Sequence, residues 1–246
     1  MDLAGKVALV TGGARMGAAI GSALAARGID VAFSYYRSAD ALERATAAVQ
    51  DAGRRSAAIQ ADLSRAAGCE HLVSAAVETL GRLDILVLMA SVYEEVPFER
   101  LTEEAWRTQI GVDLEATLHC ARAALPHLRR AGGGRIVTFS DWTAASGRPR
   151  YRGWTGYYVA KAGVKALTES LALELAPDGI LVNAIAPGPI LAPPETSADQ
   201  EAAVRAATPL RRWGGPEAVA QTLIFVLESD FMTGETIRVD GGRHVR

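Results

Sequence analysis

Residues 7–28 read VALVTGGARMGAAIGSALAARG, an apolar run followed by a glycine-rich turn and an alanine-rich stretch. This order is typical of a strand, a tight turn and a helix. Gly12, Gly13 and Gly17 let the backbone turn sharply and approach a ligand closely, while the helix offers its positive end to an anion. The stretch therefore predicts a phosphate-binding turn after the first strand of an α/β protein.

Short apolar runs alternate with alanine-rich helical stretches along the rest of the chain, which predicts a parallel sheet with crossover helices. The nearly continuous apolar run at 85–89 indicates a strand that is buried on both faces, as in a doubly wound sheet. Ligands in such sheets bind at the carboxyl ends of the strands. The predicted strands are 6–11, 31–35, 56–60, 85–89, 135–140, 181–186 and 236–239.

The domain organisation follows from what the chain lacks. No linker, repeat or low-complexity run interrupts residues 1–246, so we expect one domain. Residues 190–213 break the alternation with Pro193, Pro194 and Pro209, and this segment is predicted to cover the ligand edge as a lid. An irregular surface excursion is the alternative.

Composition restricts the function classes. A formal charge of -2 and the absence of a long basic run argue against nucleic-acid binding. No signal-peptide core or bilayer-spanning run is apparent, so we expect a cytoplasmic protein without a membrane partner. The two cysteines and four histidines have no metal-ligand spacing, and no metal site is expected.

The segment after the second predicted strand, FSYYRS at 33–38, indicates the cofactor. Dinucleotide folds that prefer NAD carry an acidic residue at the end of this strand, and none stands here; Asp30 lies too early, at the beginning of the strand. Arg37 and Ser38 follow the strand, and Arg15 lies in the glycine turn. Guanidinium groups suit a 2′-phosphate, which favours NADP(H) over NAD(H).

Tyr157 and Lys161 stand four residues apart in a helical stretch, which places both side chains on one face. An ammonium beside a phenol favours the phenolate, so we expect Lys161 to lower the pKa of Tyr157 and make it a ready proton donor.

Taken together, several motifs resemble the short-chain dehydrogenase/reductase family over essentially the whole chain. They are the glycine turn at 11–17, Asp62-Leu63, Tyr157-x-x-x-Lys161, VNAIAPG at 182–188 and VDGG at 239–242. The resemblance implies a Rossmann-like doubly wound sheet of seven mostly parallel strands with helices on both faces. It also implies a nicotinamide cofactor, a small-molecule substrate, and a homo-oligomer that is a dimer or tetramer.

The resemblance also implies roles for individual residues. Asp62 and Leu63 would flank the adenine, and the backbone near Ile190 would meet the carboxamide. Lys161 would bind the nicotinamide ribose as well as assisting Tyr157. The cofactor-binding residues expected are Gly12, Arg15, Met16, Gly17, Arg37, Ser38, Asp62, Leu63, Ala90, Tyr157, Lys161, Pro187, Gly188 and Ile190.

Three positions depart from the family pattern. Leu88-Met89-Ala90-Ser91 stands where Asn-Asn-Ala-Gly is common, and an apolar repacking between neighbouring strands is expected there. Asp113 stands in place of a catalytic asparagine. Asp141 stands in place of the catalytic serine, whereas Ser140 should point to the opposite face of the strand.

Asp141 decides between possible reactions. A protonated Asp141, or a shifted serine, would suit reduction of a ketone or aldehyde, with Tyr157 as the proton donor. An ionised aspartate only accepts hydrogen bonds and would suit reduction of a C=N bond, as in the pteridine reductases that it resembles at this position. A non-catalytic NADP(H)-binding sensor or scaffold is the alternative of another class.

Aromatic and basic side chains cluster near the predicted substrate end. Tyr93, Trp142 and Trp154 are expected to bind the substrate, although ordinary packing would also explain them. Arginines alternate at 148, 150 and 152; we expect them to be solvated, and an acidic substrate group is the alternative partner.

Overall fold

The computed structural model describes all 246 residues and contains one seven-stranded sheet. The strand order is β3-β2-β1-β4-β5-β6-β7, and all six neighbouring pairs are parallel. The predicted α/β Rossmann-like fold is therefore confirmed. The strands are β1 Val7–Thr11, β2 Asp30–Tyr35, β3 Ser56–Gln60, β4 Ile85–Leu88, β5 Gly134–Phe139, β6 Ile180–Pro187 and β7 Thr236–Val239.

Helices cover both faces of the sheet, and each face has its own apolar core of 24 buried residues. Helices α1, α2 and α9 pack on one face, and α3, α5 and α7 pack on the other. The α-helices are α1 Gly17–Ala25, α2 Glu43–Asp51, α3 Ala66–Leu80, α4 Glu103–Ile110, α5 Ala116–Arg130, α6 Trp142–Ala145, α7 Thr155–Leu175, α8 Ala198–Ala207 and α9 Pro216–Glu228.

The sheet has its topological switch point between β1 and β4. β1 pairs with β2 on one side and with β4 on the other, so the chain leaves β1 in one direction and later crosses back. A crevice opens at the carboxyl ends of strands at such a point, and ligands bind there. All five residues of β1 are buried, which fixes the glycine turn at the mouth of this crevice.

The segment 190–213 contains one α-helix, α8, which its many prolines made hard to predict. Ser197 and Gln200 form a reciprocal capping box at the start of α8. On either side of α8, Ile190, Leu191 and Trp213 face the carboxyl edge of the sheet. The segment thus lies where the predicted lid belongs. None of the helices is both long and apolar enough to cross a membrane.

Candidate active site

A cavity of about 1110 Å³ opens at the carboxyl edge of the sheet. It gathers residues that follow β1, β2, β4, β5 and β6, together with the face of α7 and the segment around α8. The predicted site residues that line it are Gly12, Arg15, Met16, Arg37, Ser38, Ala90, Tyr93, Asp141, Trp142, Trp154, Tyr157, Lys161, Pro187, Gly188 and Ile190. Gly17, Asp62, Leu63 and Asp113 lie outside its lining.

The glycine turn approaches β4 closely. Gly12 has a φ of 75°, and a Cβ atom there would lie 3.2 Å from the Cα of Ala90. Its N–H donates to the hydroxyl of Ser34 at 3.0 Å, which ties the turn to β2. A side chain at position 12 would therefore be strained and would collide with Ala90, so glycine is what lets the turn lie against the end of β4.

Gly17 has a packing role beside α2, and its contact with a cofactor stays a prediction. A Cβ atom at Gly17 would lie 3.1 Å from the Cβ of Ala45 in α2. One turn later, a Cβ at Gly21 would lie 3.0 Å from Phe33 and Val49. These two glycines let α1 pack tightly on α2 and β2, and sequence analysis missed the second.

Arg37 and Ser38 remain at the end of β2, where a 2′-phosphate would be read. The Arg37 guanidinium lies 5.5 Å from the ring centroid of Tyr36, and the Ser38 hydroxyl accepts from the N–H of Asp40 at 3.3 Å. Asp30 lies at the other end of β2 and is bound by Arg54 and Arg55, each at 2.7 Å. No carboxylate faces the cavity from β2.

Arg15 does not join Arg37 in this structure. Its Nη2 donates to the carbonyl oxygens of Leu191 and Ala192 at 2.8 and 3.1 Å, across the cavity from the glycine turn. The guanidinium therefore connects the glycine turn to the segment before α8.

Asp62 and Leu63 lie beyond the cavity wall. One oxygen of the Asp62 carboxylate accepts from both the N–H and the hydroxyl of Ser64, at 3.0 and 2.6 Å. Leu63 is buried in the core on the α3 side of the sheet. Their contact with an adenine ring stays a prediction.

Three side chains of the Leu88–Ser91 segment pack in the apolar cores, which agrees with the expected apolar repacking: Leu88 and Ala90 lie on one face of the sheet and Met89 on the other. A hydroxyl also holds the backbone of this segment. The hydroxyl oxygen of Thr11 accepts from the N–H groups of Met89 and Ala90 at 3.0 and 3.1 Å. This polar link between β1 and β4 satisfies the backbone where the family's asparagines are missing.

Lys161 is bound by two polar groups beneath Tyr157. Its side chain is 4% exposed, and its Nζ lies 3.2 Å from Asp113 Oδ1 and 3.1 Å from the carbonyl oxygen of Phe139. The Tyr157 ring centroid lies 5.6 Å from the same Nζ. The predicted pair is thus together on one face of α7, with a buried carboxylate behind it.

Asp113 lies on a π-helical turn, Gly111–Glu115, between α4 and α5. Turns of this kind occur often at functional sites because they redirect a side chain out of the helical ladder. Besides Lys161, the carboxylate accepts from the Ser91 hydroxyl and from the N–H of Val92 at 3.2 Å. Asp113 therefore contacts Lys161 from behind and lies outside the cavity lining.

Asp141 faces Tyr157, and Ser140 does not. One Asp141 oxygen accepts from the N–H and hydroxyl of Thr143 at 2.7 and 2.5 Å, and the other lies 3.4 Å from the Tyr157 hydroxyl. The Ser140 hydroxyl donates to the carbonyl oxygen of Lys161 at 2.8 Å and is buried. The two side chains therefore point in different directions, and the Ser140 hydroxyl is engaged by the backbone of α7 and not by Tyr157.

The electrostatics of the site correct one expectation. Burial raises the pKa of Tyr157 well above its usual value, and the charges of Asp141 and Asp113 raise it further. The Lys161 ammonium is bound by Asp113 and does not make the phenol acidic here. Burial also raises the pKa of Asp141, against the opposing effect of the Thr143 hydrogen bonds. Tyr157 is consequently a protonated phenol at neutral pH.

Aromatic rings surround the phenol. The ring centroids of Tyr93 and Trp154 lie 4.1 Å apart, and that of Tyr157 lies 5.1 Å from Tyr93 and 5.6 Å from Trp154. Trp142 and Tyr151 pair separately at 6.3 Å. Of the predicted substrate residues, Tyr93 and Trp154 thus lie next to the phenol, and Trp142 lines the same cavity.

Sequence reasoning missed three polar residues that fix the site. Ser34 holds the glycine turn, Ser91 binds Asp113, and Thr143 holds Asp141. The last had a readable signal, because an aspartate two residues before a threonine at a helix start is a common capping arrangement. The other two depend on partners far away in the chain.

Comparisons with known proteins agree with this geometry. Residues 13–244 match the family model described as enoyl-(acyl carrier protein) reductase. The chain is 39% identical over 253 residues to the short-chain reductase protein NovJ of Streptomyces niveus, covering 97% of this chain and 94% of that protein. It is 34% identical over 245 residues to the 3-oxoacyl-(acyl-carrier-protein) reductase FabG of Staphylococcus aureus, covering 98% of each.

A solved structure of another protein has the same fold as this chain. The short-chain dehydrogenase from Burkholderia cenocepacia, in complex with NADP, superposes with a TM-score of 0.90 at 34% identity and 99% coverage of both chains. Together with the shared sheet and the Tyr157-Lys161 geometry, these matches establish that the chain is an oxidoreductase of the short-chain dehydrogenase/reductase family.

Proposed function

We propose that this protein is an NADPH-dependent reductase of a small-molecule ketone or aldehyde, with Tyr157 as the proton donor. The observation that carries the proposal is the Tyr157 phenol at the cavity, with its hydroxyl 3.4 Å from an Asp141 oxygen and Lys161 beneath its ring. The FabG relative from Staphylococcus aureus is named for the reduction of a 3-oxoacyl group, which agrees with a ketone substrate.

The protein groups divide the work in this proposal. A bound nicotinamide would supply the hydride to the carbonyl carbon. Tyr157 donates its proton to the carbonyl oxygen as charge develops there. A protonated Asp141 donates a hydrogen bond to the same oxygen and polarises it. Lys161, held by Asp113 and the Phe139 carbonyl, keeps its ammonium group in place below the phenol ring.

The cavity fits NADPH on its own features. Gly12 lines the cavity just before the start of α1, where backbone N–H groups suit a phosphate, and Arg37 and Ser38 stand at the end of β2 with no carboxylate to oppose a 2′-phosphate. The NADP complex of the Burkholderia relative supports the same cofactor.

Replacing Arg37 with aspartate should shift cofactor preference toward NADH. Loss of a charge-assisted contact and its replacement by repulsion should lower the NADPH/NADH affinity ratio by roughly 10- to 100-fold. Fluorescence titration with each cofactor measures the ratio. Arg44→Asp, which reverses the same charge on an exposed position of α2, should leave it unchanged. An unaltered ratio in Arg37→Asp would refute the 2′-phosphate assignment.

A second candidate function is reduction of a C=N bond in a pterin-like or cyclic imine substrate. The observation that favours it is the Asp141 carboxylate beside Tyr157, with Thr143 donating twice to one of its oxygens. Those two hydrogen bonds favour the ionised form, and an anion at this position would stabilise an iminium.

Asp141→Ser distinguishes these two functions. If Asp141 works as an anion, the serine should raise carbonyl turnover and lower imine turnover by tenfold or more each, since a hydroxyl donates to an oxyanion but cannot offset a cation. Asp141→Asn, which is neutral at the same size, should also lose imine turnover. NADPH consumption against a panel of ketones, aldehydes, pterins and cyclic imines supplies the measurement. Equal changes for both substrate classes would rule out the anionic role.

The same panel separates a non-catalytic sensor or scaffold, which would bind NADPH tightly and consume none with any compound. The retained proton donor argues against that alternative.

We further propose a cytoplasmic homo-oligomer, either a dimer or a tetramer. Large apolar side chains on the outer surface support it, with Leu173 81% exposed and Phe225 60% exposed.

A further inference from the structure

Positive charge predominates among the side chains that line the cavity. Asp141 is the one carboxylate among them, against five cationic groups. Three of the five have uses already described: Lys161 is paired with Asp113, Arg15 binds the lid carbonyls, and Arg37 stands at the adenosine end. Arg150 and Arg243 are left without a role.

The guanidinium groups of Arg150 and Arg243 both lie against the indole ring of Trp142. The guanidinium carbon of each lies 5.5 Å from the ring centroid of Trp142, which directly follows Asp141. Arg150 comes from the segment between α6 and α7, and Arg243 comes from the turn after β7. Arg150 Nη2 donates to the carbonyl oxygen of His244 at 3.5 Å, so two distant segments are joined at the substrate end.

Neutral acceptors hold both guanidinium groups, and no carboxylate neutralises them. Arg243 Nη1 donates to the carbonyl oxygen of Val204 and to the Thr208 hydroxyl, at 3.2 and 3.4 Å. Every ion pair within 4.0 Å in the protein involves other residues. The acid closest in sequence, Asp240, is bound to His244 at 2.7 Å.

Two buried donors at the cavity lack acceptors. Arg150 Nε and Trp213 Nε1 are both inaccessible and without a hydrogen-bond partner. Buried donors are nearly always satisfied in folded proteins, so each of these two N–H groups at the cavity has the capacity to donate to a further acceptor. The neighbouring arginines at 148 and 152 are exposed, as expected of solvated side chains, whereas Arg150 is partly buried.

We propose that Arg150 and Arg243 form a receptor for an oxyanion on the substrate, a carboxylate or a phosphate. A planar guanidinium binds such groups through paired hydrogen bonds, and stacking on Trp142 keeps the guanidinium planes in place. The proposal rests on the proposed function in taking the Tyr157 end of the cavity as the substrate end. It narrows the substrate class to carbonyl or imine compounds that carry a negative charge away from the reacting bond.

Calorimetry with matched ligands tests the receptor without turnover. The aryl ketones para-acetylbenzoate and para-acetylphenyl phosphate are compared with the neutral para-acetylbenzamide and para-methoxyacetophenone, with and without NADP⁺. We expect at least one anion to bind wild-type protein tenfold or more tightly than its neutral partner. The identity of the preferred anion distinguishes a carboxylate from a phosphate.

Substitutions then locate the preference. Arg150→Gln and Arg243→Gln should each reduce it severalfold, and the double variant should abolish it. Arg148→Gln, which removes the same charge from an exposed position two residues away, should leave it intact. Neutral ligands should bind all variants alike.

The receptor is overturned if neither anion binds wild-type protein better than its neutral partner, or if the preference survives the double variant. An equal loss in Arg148→Gln would overturn it as well, because general surface charge would then explain the preference. Should a glutamine variant unfold, the wild-type comparison decides alone. Because no hydride is transferred, these outcomes are independent of whether Tyr157 is the proton donor.

Discussion

Tyr157→Phe should lose 10²- to 10⁴-fold in kcat while NADPH affinity changes little. The substitution removes one hydroxyl at the cavity and keeps the ring that packs against Tyr93 and Trp154. Proton donation to the substrate would then have to come from solvent instead of from a side chain that α7 holds above Lys161. Steady-state NADPH oxidation with the best substrate of the panel measures kcat, and fluorescence titration measures cofactor affinity.

Tyr158→Phe provides the matched control, since it removes the same phenol one position further along α7. It should retain most of its turnover. Comparable losses in the two variants would mean that the effect comes from disturbance of the helix and not from a proton donor. Full turnover in Tyr157→Phe would remove the tyrosine from the mechanism.

Asp113→Leu should lower the free energy of unfolding by about 3–5 kcal/mol, because it leaves the Lys161 ammonium buried without its charge partner. The side chains of the pair are 0% and 4% exposed, so water cannot replace the lost carboxylate. The same change removes the acceptor for the Ser91 hydroxyl and the Val92 N–H. Urea unfolding followed by circular dichroism measures the difference.

Two comparisons separate the buried pair from ordinary surface effects. Glu103→Gln breaks the exposed pair with Arg107 and should cost under about 1 kcal/mol. Adding Lys161→Met to Asp113→Leu removes the orphaned charge and should restore part of the stability, although the protein would be inactive. If Asp113→Leu costs no more than Glu103→Gln, the carboxylate does not hold Lys161.

Local sequence patterns were sufficient for the fold. The seven apolar runs correspond to strands, within one or two residues of their predicted ends. The glycine turn follows β1, as predicted. Such patterns are local because a buried parallel strand must be apolar on both faces, and a tight turn beside a neighbouring strand must be glycine. The different side-chain directions of Ser140 and Asp141 were also predictable, because side chains alternate between the two faces along a strand.

Contacts between distant segments could not be predicted from the sequence. Nothing near Arg15 indicates that it reaches the carbonyls of Leu191 and Ala192, and nothing near Thr11 indicates that its hydroxyl serves Met89 and Ala90. The direction of the Tyr157 pKa was predicted wrongly for the same reason. Spacing places Lys161 beside the phenol, but only the fold places Asp113 against Lys161 and buries the whole group.

A crystal structure of the complex with NADP⁺ and a ketone substrate analogue tests the central claim most directly. The Tyr157 hydroxyl should lie within about 2.6–3.2 Å of the ketone oxygen, with the carbonyl carbon facing the nicotinamide. A ketone oxygen held by other groups, with the phenol out of hydrogen-bonding reach, would contradict the role of Tyr157 as the proton donor.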